Sequence, residues 1–337
     1  MIKVGIIGYG KMGILHGALV NGSQKAKVVA ICDKSWVMRF GIKRVYPSVQ
    51  TFSDVKEMLN KVKLDVVIIS TPTFNHVQSA LMCMEKKCSL FIEKPLASSY
   101  EDAKKLYDMA EEKSIKIQVG FCNRFAPSIA KGKELLDSGV IGHPQSAKAF
   151  MYIADVFEQH SGWRYSKSVS GGGVLMDFGI HMLDQMCWYF GCIDTVKAQA
   201  KQLYSKEVED ELTADIVFEQ GTKVIFETSW SKEEYRKTYA RLEIEGTDGK
   251  MIVTDQTLDV FNNTGDLIEN YVYPDLYGGT YMDVGGILYS KQMEAFLNVL
   301  EGKEETNLAS SVYVQRAIKE IYRSVECGET VKIGSGL

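Results

Sequence analysis

The sequence predicts an α/β domain built on a parallel sheet, followed by an α+β domain with a large, mostly antiparallel sheet. Three observations carry this prediction. Short β-branched runs alternate with helical stretches from Ile2 to Phe121; a glycine-rich turn separates the first strand from the first helix; and beyond Gln145 the pattern changes to strands joined by hairpin-type turns. With 337 residues the chain also exceeds the roughly 250 to 300 at which one hydrophobic core stops growing. The reading gives 1–122 to the first domain and 123–337 to the second.

The first strand, Ile2 to Ile7, runs into Gly8, Gly10 and Gly13 at GxGxxG spacing, ahead of a helical stretch from Ile14 to Asn21. In that context the pattern is a dinucleotide-binding turn of the Rossmann type. Gly8 permits the turn, Gly10 lets the backbone approach a pyrophosphate, and Gly13 lets helix and strand pack closely. Lys11 and Met12 lie inside the turn, at the helix amino terminus that faces the phosphates. A second strand, Lys27 to Cys32, ends at Asp33, 20 residues after Gly13, where an acid accepts hydrogen bonds from the adenosine ribose. A carboxylate there repels a 2′-phosphate, so NAD is the expected cofactor; Lys34 and Arg39 follow closely and leave NADP open.

Strand and helix continue to alternate: Asp65 to Ser70 before Phe74 to Lys86, Ser89 to Ile92 before Tyr100 to Lys113, then Ile117 to Phe121. This alternation predicts parallel strands with right-handed crossovers, whose carboxyl-end loops line a ligand crevice. Thr71, Pro72, Asn75, His76, Glu93, Lys94 and Asn123 fall in those loops and are expected to meet the cofactor; Lys94 and Arg124 are expected to meet the substrate.

A helix from Pro127 to Asp137 leads into strands at Gln145 to Tyr152, Thr195 to Leu203, Glu211 to Glu219, Lys223 to Ser229, Arg241 to Glu245 and Leu258 to Phe261. The turns around Glu219 to Thr222 and Gly246 to Gly249 are of hairpin type. Two helices close the chain, Ser290 to Glu301 and Ala309 to Cys327, stopped by Gly302 and Gly328. Between the strands, Gly171 to Asp184 reads GGGVLMDFGIHMLD. As a helix it places Asp177 and His181 at i and i+4 on one face, with Asp184 a further turn along, so that a carboxylate can orient an imidazole or hold its charged form. The three glycines are read as letting substrate or cofactor approach the backbone. Just ahead, Trp163 and Arg164 offer an aromatic face and a polar fork that suit a polyol ring, and Tyr281 is a further candidate for substrate contact.

Three separated motifs, GIIGYGKMG at Gly5 to Gly13, EKP at Glu93 to Pro95 and GGGVLMDFGIHMLD at Gly171 to Asp184, resemble in order and spacing the Gfo/Idh/MocA family of dehydrogenases. The resemblance covers essentially the whole chain. It implies that Lys94, Asp177 and His181 form the catalytic group, that Lys94-Pro95 is a cis peptide, and that the substrate is a sugar, sugar derivative or cyclic polyol. It also implies a homodimer or homotetramer packed through the antiparallel sheet, whose alternating Ala214, Ile216 and Phe218 are candidates for the buried side. His181 is assigned acid/base work at the hydroxyl, Lys94 the holding of the substrate oxygen and Asp177 the orienting of the hydroxyl or the tuning of its charged neighbours.

Composition bounds the alternatives. A net charge of −4 and an isoelectric point near 5.9 provide no basic field for nucleic acid. No apolar run is long enough to span a membrane and no signal-peptide pattern opens the chain. Seven scattered cysteines, with no CxxC pair, read as free thiols in a reducing cytoplasm and not as a metal site. Two other readings stay open at this level: an NADPH-dependent ketoreductase for nucleotide-linked or amino sugars, and a catalytically silent NAD(P)-sensing regulator.

Overall fold

The computed structural model describes residues 1–273 and 286–336. The chain divides into two compact units, Met1–Gly120 with Val284–Val312, and Phe121–Asp283 with Tyr313–Leu337.

In the first unit, β1 (Ile2–Ile7), β2 (Ala26–Cys32), β3 (Gln50–Phe52), β4 (Val66–Ile69), β5 (Ser89–Ile92) and β6 (Ile117–Val119) form a sheet of order β3-β2-β1-β4-β5-β6. Every pairing in it is parallel. The helices α1 (Lys11–Gly22), α2 (Trp36–Val45), α3 (Val55–Lys61), α4 (His76–Glu85) and α5 (Tyr100–Lys113) make the crossovers. A strand covered on both faces reads as a continuous apolar run, and the VVII of β4 is buried at all four positions. Helix starts are set by side-chain caps: Ser35 accepts the Met38 N–H, Asp54 that of Glu57 and Ser99 that of Asp102. The strand order reverses between β1 and β4, the switch point where such sheets bind ligands. The three-residue β3 has no periodicity to read, and the sequence reading passes over it.

The division at residue 122 needs one correction. Helix α9 (Ile287–Leu300) belongs with the first unit, because its face of Met293, Phe296 and Leu297 is buried in one core with Val4, Ile6, Val28, Ile68 and Phe91. The Phe91 and Phe296 rings meet edge to face at 5.4 Å. Asn307 ties the same segment to β6, its Oδ1 accepting the Val119 N–H and its Nδ2 donating to the Val119 carbonyl.

The second unit holds α6 (Pro127–Asp137), α7 (Lys167–Ser170), α8 (Ile180–Phe190) and a nine-stranded sheet. Its strands are β7 (Pro144–Tyr152), β8 (Ile193–Lys201), β9 (Glu211–Phe218), β10 (Lys223–Ser229), β11 (Tyr239–Gly246), β12 (Gly249–Thr254), β13 (Thr257–Asn262), β14 (Leu267–Val272) and β15 (Val331–Lys332). Their order is β14-β13-β12-β11-β7-β10-β9-β8-β15, and only the β10–β7 pairing is parallel among the described strands. Both expected hairpin turns join antiparallel neighbours, β9 to β10 and β11 to β12. The closing helix α10 (Leu308–Cys327) stops at Gly328, and α9 stops at Gly302; both glycines take positive φ, +72° and +75°. Ala214, Ile216 and Phe218 do alternate onto a buried face, but it is this chain's own core, where Phe218 meets Phe190 of α8 at 5.2 Å. The opposite face of that sheet carries the other set, with Ile225 of β10 46% exposed.

Candidate active site

The glycine turn has the form that a dinucleotide requires. Gly8 takes φ +84° and a Cβ there would press on the Ser70 backbone at 2.9 Å, while a Cβ at Gly13 would collide with the Gly8 carbonyl. Gly10 differs: among the described residues nothing lies within 4 Å of where its Cβ would stand. It is the N-cap of α1, with no capping side chain and no acid in the first turn, so the helix amino terminus and its N–H groups face outward over an open backbone. Thr71, whose methyl a Cβ at Gly8 would touch at 2.9 Å, has a buried hydroxyl with no partner among the described residues. Asp33 closes the far side, its Oδ2 accepting the Tyr9 N–H at 2.7 Å and its Oδ1 that of Ser35 at 2.8 Å. Arg39 is turned back onto the carbonyls of Asp33 and Lys34, at 2.7 and 2.8 Å, which draws a cation away from the role of a 2′-phosphate partner. These residues fit NAD: Gly10, Lys11 and Met12 would hold the pyrophosphate and Asp33 the ribose.

At the end of β5, Lys94 is half-buried between buried neighbours, and Lys94-Pro95 is cis. Glu93 is 8% exposed and turned inward, with its Oε1 2.6 Å from Nε2 of His16, a buried residue of α1. His76 is also turned inward, at 1% exposure, with Nδ1 2.9 Å from the Pro95 carbonyl and Nε2 2.8 Å from that of Thr71. Burial pushes its pKa down, against the pull of those carbonyls and of Glu93. Of the residues expected to meet the cofactor, His76 and Glu93 thus have side chains that brace the loop from inside.

The segment Gly171 to Asp184 departs from a plain helix in a way that matters. A π-helical turn, Leu175–Gly179, precedes α8, so Asp177 sits on the wider turn and His181 on the first turn of the α-helix. Such insertions re-aim side chains and recur at functional sites. Both residues are partly exposed, and the His181 ring meets Phe121 edge-on at 6.2 Å. Arg164 Nε donates to Asp177 at 2.6 Å and its Nη1 to Asp155 at 2.7 Å, with the guanidinium 5.0 Å from the centre of the Trp230 ring. Burial works against the Arg164 charge, but Asp177 and Asp155 outweigh it and hold the pKa above its ordinary value. Arg164 thus aligns Asp177 from within the unit. Trp163, beside it, is 38% exposed.

The three glycines serve a different purpose from the expected one. A Cβ at Gly172 would collide with the Tyr322 hydroxyl and one at Gly173 with the Glu209 backbone. The buried Glu209 carboxylate accepts N–H bonds from Gly173 at 2.9 Å and Leu175 at 3.0 Å and an O–H bond from Tyr322 at 2.8 Å. The glycines make room for this clamp on the start of the π turn. Burial raises the Glu209 pKa, and the three donors work the other way.

Arg124 also has another occupation. Its Nε and Nη2 donate to the two oxygens of buried Asp184 at 2.8 and 2.5 Å, a paired arrangement whose disruption costs about 3 to 5 kcal/mol when one partner is removed. Asn123 and Arg124 lie in the second unit, Asn75 in a 3₁₀ turn before α4, and Tyr281 outside the described residues. His16, Asp155, Glu209 and Tyr322 are absent from the sequence reading. Only His16 left a signal, as a polar residue in line with Gly13, Gly17 and Val20 on the buried face of α1.

Two family models match: the oxidoreductase family with an NAD-binding Rossmann fold (GFO_IDH_MocA) over residues 2–121, and the GFO/IDH/MocA C-terminal domain over residues 129–252. The chain is 26% identical to the D-glucoside 3-dehydrogenase of Escherichia coli (strain K12), over 98% of this chain and 97% of that one. It is 28% identical to the scyllo-inositol 2-dehydrogenase (NAD(+)) of Bacillus subtilis (strain 168), over 75% and 73%. Its fold matches levoglucosan dehydrogenase in complex with NADH and levoglucosan, with a TM-score of 0.86 at 23% identity over 98% and 99% of the two chains. The open glycine turn with its ribose acid and the two matched domains, which between them take in most of the sequence, lead to one conclusion: the chain belongs to the Gfo/Idh/MocA family of NAD-binding oxidoreductases.

Proposed function

We propose that this oxidoreductase moves a hydride between NAD and a secondary hydroxyl, or the corresponding ketone, of a sugar, sugar derivative or cyclic polyol. The observation that carries the reading is Asp177 on the π turn, aligned by Arg164, followed by His181 on the first turn of α8, with Glu209 clamping the start of the π turn. The relatives named as dehydrogenases of a glucoside and of an inositol support the substrate class. When bound, NAD supplies the ring that accepts the hydride. His181 takes the hydroxyl proton as the alcohol is oxidised and returns it in the reverse direction, a role worth about 10² to 10⁴ in rate. Lys94 holds the substrate oxygen and stabilises the negative charge that develops there. Asp177 orients the sugar hydroxyl or tunes its charged neighbours, and Trp163 offers its exposed face to the sugar ring. In this reading Arg124 supports the site through Asp184 and does not itself reach the substrate.

The experiment is absorbance at 340 nm with NAD or NADP across cyclic polyols, aldoses, glycosides and sugar acids. Reduction of NAD in preference to NADP by at least one of them is the expected result. Silence across the panel with tight NADH binding would remove the dehydrogenase reading in favour of a sensor. We further place the enzyme in the reducing cytoplasm, where its seven free thiols persist, and assign it a homo-oligomer through the exposed face of β10. Sedimentation of a monomer at micromolar concentration would reject that assembly.

A further inference from the structure

We infer that His16 is a positioning residue for Lys94, acting through Glu93 from the helix that follows the glycine turn. The inference rests on the assignment of Lys94 to the reaction. Five observations within the first unit carry it. His16 is fully buried on α1, three residues beyond Gly13. Its Nε2 lies 2.6 Å from Glu93 Oε1, a separation typical of charge-assisted hydrogen bonds. The other oxygen of Glu93 accepts the Lys94 N–H at 3.3 Å. A Cβ at Gly120, at the end of β6, would stand 3.0 Å from that same oxygen, so the strand end backs the carboxylate and leaves it little room. The His16 ring packs on Phe91 at 4.8 Å, two residues before Glu93.

The chemistry gives this arrangement a direction. In the neutral imidazole, donation from His16 Nε2 to the Glu93 carboxylate leaves Nδ1, which has no partner among the described residues, as an acceptor, so no buried N–H is left over. The imidazole therefore acts as a fixed donor. It holds one carboxylate oxygen so that the other stays under the Lys94 amide, and the lysine stem leaves the backbone in one direction. A hydrophobic residue at position 16 would fill the space but leave Glu93 buried without its donor. The carboxylate would then turn or draw in water, and the base of Lys94 would shift. The same helix presents its amino terminus at Gly10, so one rigid element sets both the phosphate-facing turn and the foundation of the reacting lysine.

The test compares His16→Leu, His16→Asn and His16→Gln with the parent and with Lys94→Met. Gln reaches the place of Nε2 with an N–H, whereas Asn falls short of it. Turnover is followed at 340 nm with NAD and scyllo-inositol or levoglucosan, NADH affinity by fluorescence, and folding by thermal melting. In parallel, the rate of Lys94 acetylation by acetic anhydride is read by mass spectrometry, which needs no turnover. The expected result is a fall in kcat of about 10- to 100-fold for Leu and Asn, the scale of an ångström-level misplacement, with KM and NADH affinity within about twofold. A changed Lys94 acetylation rate should accompany it, and Gln should restore both. A folded His16→Leu or His16→Asn with parental kcat and parental acetylation overturns the inference, and so does a kcat loss matched by an equal loss of NADH affinity. If Leu fails to fold, the Asn and Gln pair decides alone. Parental turnover in Lys94→Met would instead overturn the parent reading of the lysine, whatever the His16 variants do.

Discussion

The two glycine clusters look alike as sequence and do opposite work. Around Gly8, Gly10 and Gly13, two glycines are required by packing and the middle one keeps a stretch of backbone open, beside a helix amino terminus with no cap of its own. At Gly172 and Gly173 the space a side chain would take is filled, by the Tyr322 hydroxyl and the Glu209 backbone, and the helix start is capped by a buried carboxylate. The first cluster is arranged to receive an anion, and the second is already closed by one. A run of glycines thus signals close approach but does not say what approaches. In the second unit the partly exposed polar groups are the side chains that follow the glycines, Asp177 and His181.

This contrast is open to direct attack. The largest effect belongs to Gly173→Ala, because backbone cannot move aside as a flexible side chain does. Overpacking of this kind costs about 1 to 3 kcal/mol, and the collision with backbone puts this site at the upper end. The check is a thermal melt, in which a variant with parental stability would mean that the clamp is loose. Gly10→Ala should do the reverse: parental stability, with NADH binding weaker by about tenfold, or about 1.4 kcal/mol. Unchanged affinity there would mean that the pyrophosphate does not approach Gly10.

The smallest effect is the dependence of stability on pH, and it separates the two units by their buried ionisable groups. His76 of the first unit has its pKa pushed below the ordinary 6.5 by burial, so the unfolded chain takes up its proton first. Stability is fully present above that value and declines as pH falls below it. Asp210 of the second unit is buried too, which works against its charge. Its bonds from Ser205, the Tyr204 backbone and Trp230 nevertheless hold it below the ordinary 3.8, so its contribution is present above that ordinary value and is lost as pH falls from there through the lower one. Melting of His76→Gln between pH 7 and 5 should lack the downward slope of the parent. Parallel slopes would show that His76 is not its source.

Legibility followed periodicity and distance along the chain. Strands such as β4 and β5, covered on both faces, announce themselves as apolar runs, and the β9–β10 and β11–β12 turns carry their own residue chemistry. The glycine turn and the proposed catalytic residues Lys94, Asp177 and His181 lie in local motifs and are readable for the same reason. What escaped depends on partners far off in sequence. Glu209 sits 36 residues from Gly173 and Tyr322 113 residues from Glu209, so no local pattern announces the clamp. The return of α9 to the first unit was hidden likewise, since its apolar face of Met293, Phe296 and Leu297 fits any core until Phe91 is seen beside it. The charges of Arg124 and Arg164 are plain in the sequence, but their pairing with Asp184, and with Asp155 and Asp177, is not, since no local period joins the partners.

The central claim is that Asp177 and His181 are the working groups and that the glycines before them are scaffold. The most direct measurement is turnover at 340 nm of His181→Ala beside the parent, with NADH affinity measured on the same samples. The account predicts a loss of about 10² to 10⁴ in turnover with nearly unchanged NADH affinity. Near-parental turnover in a folded His181→Ala would contradict it.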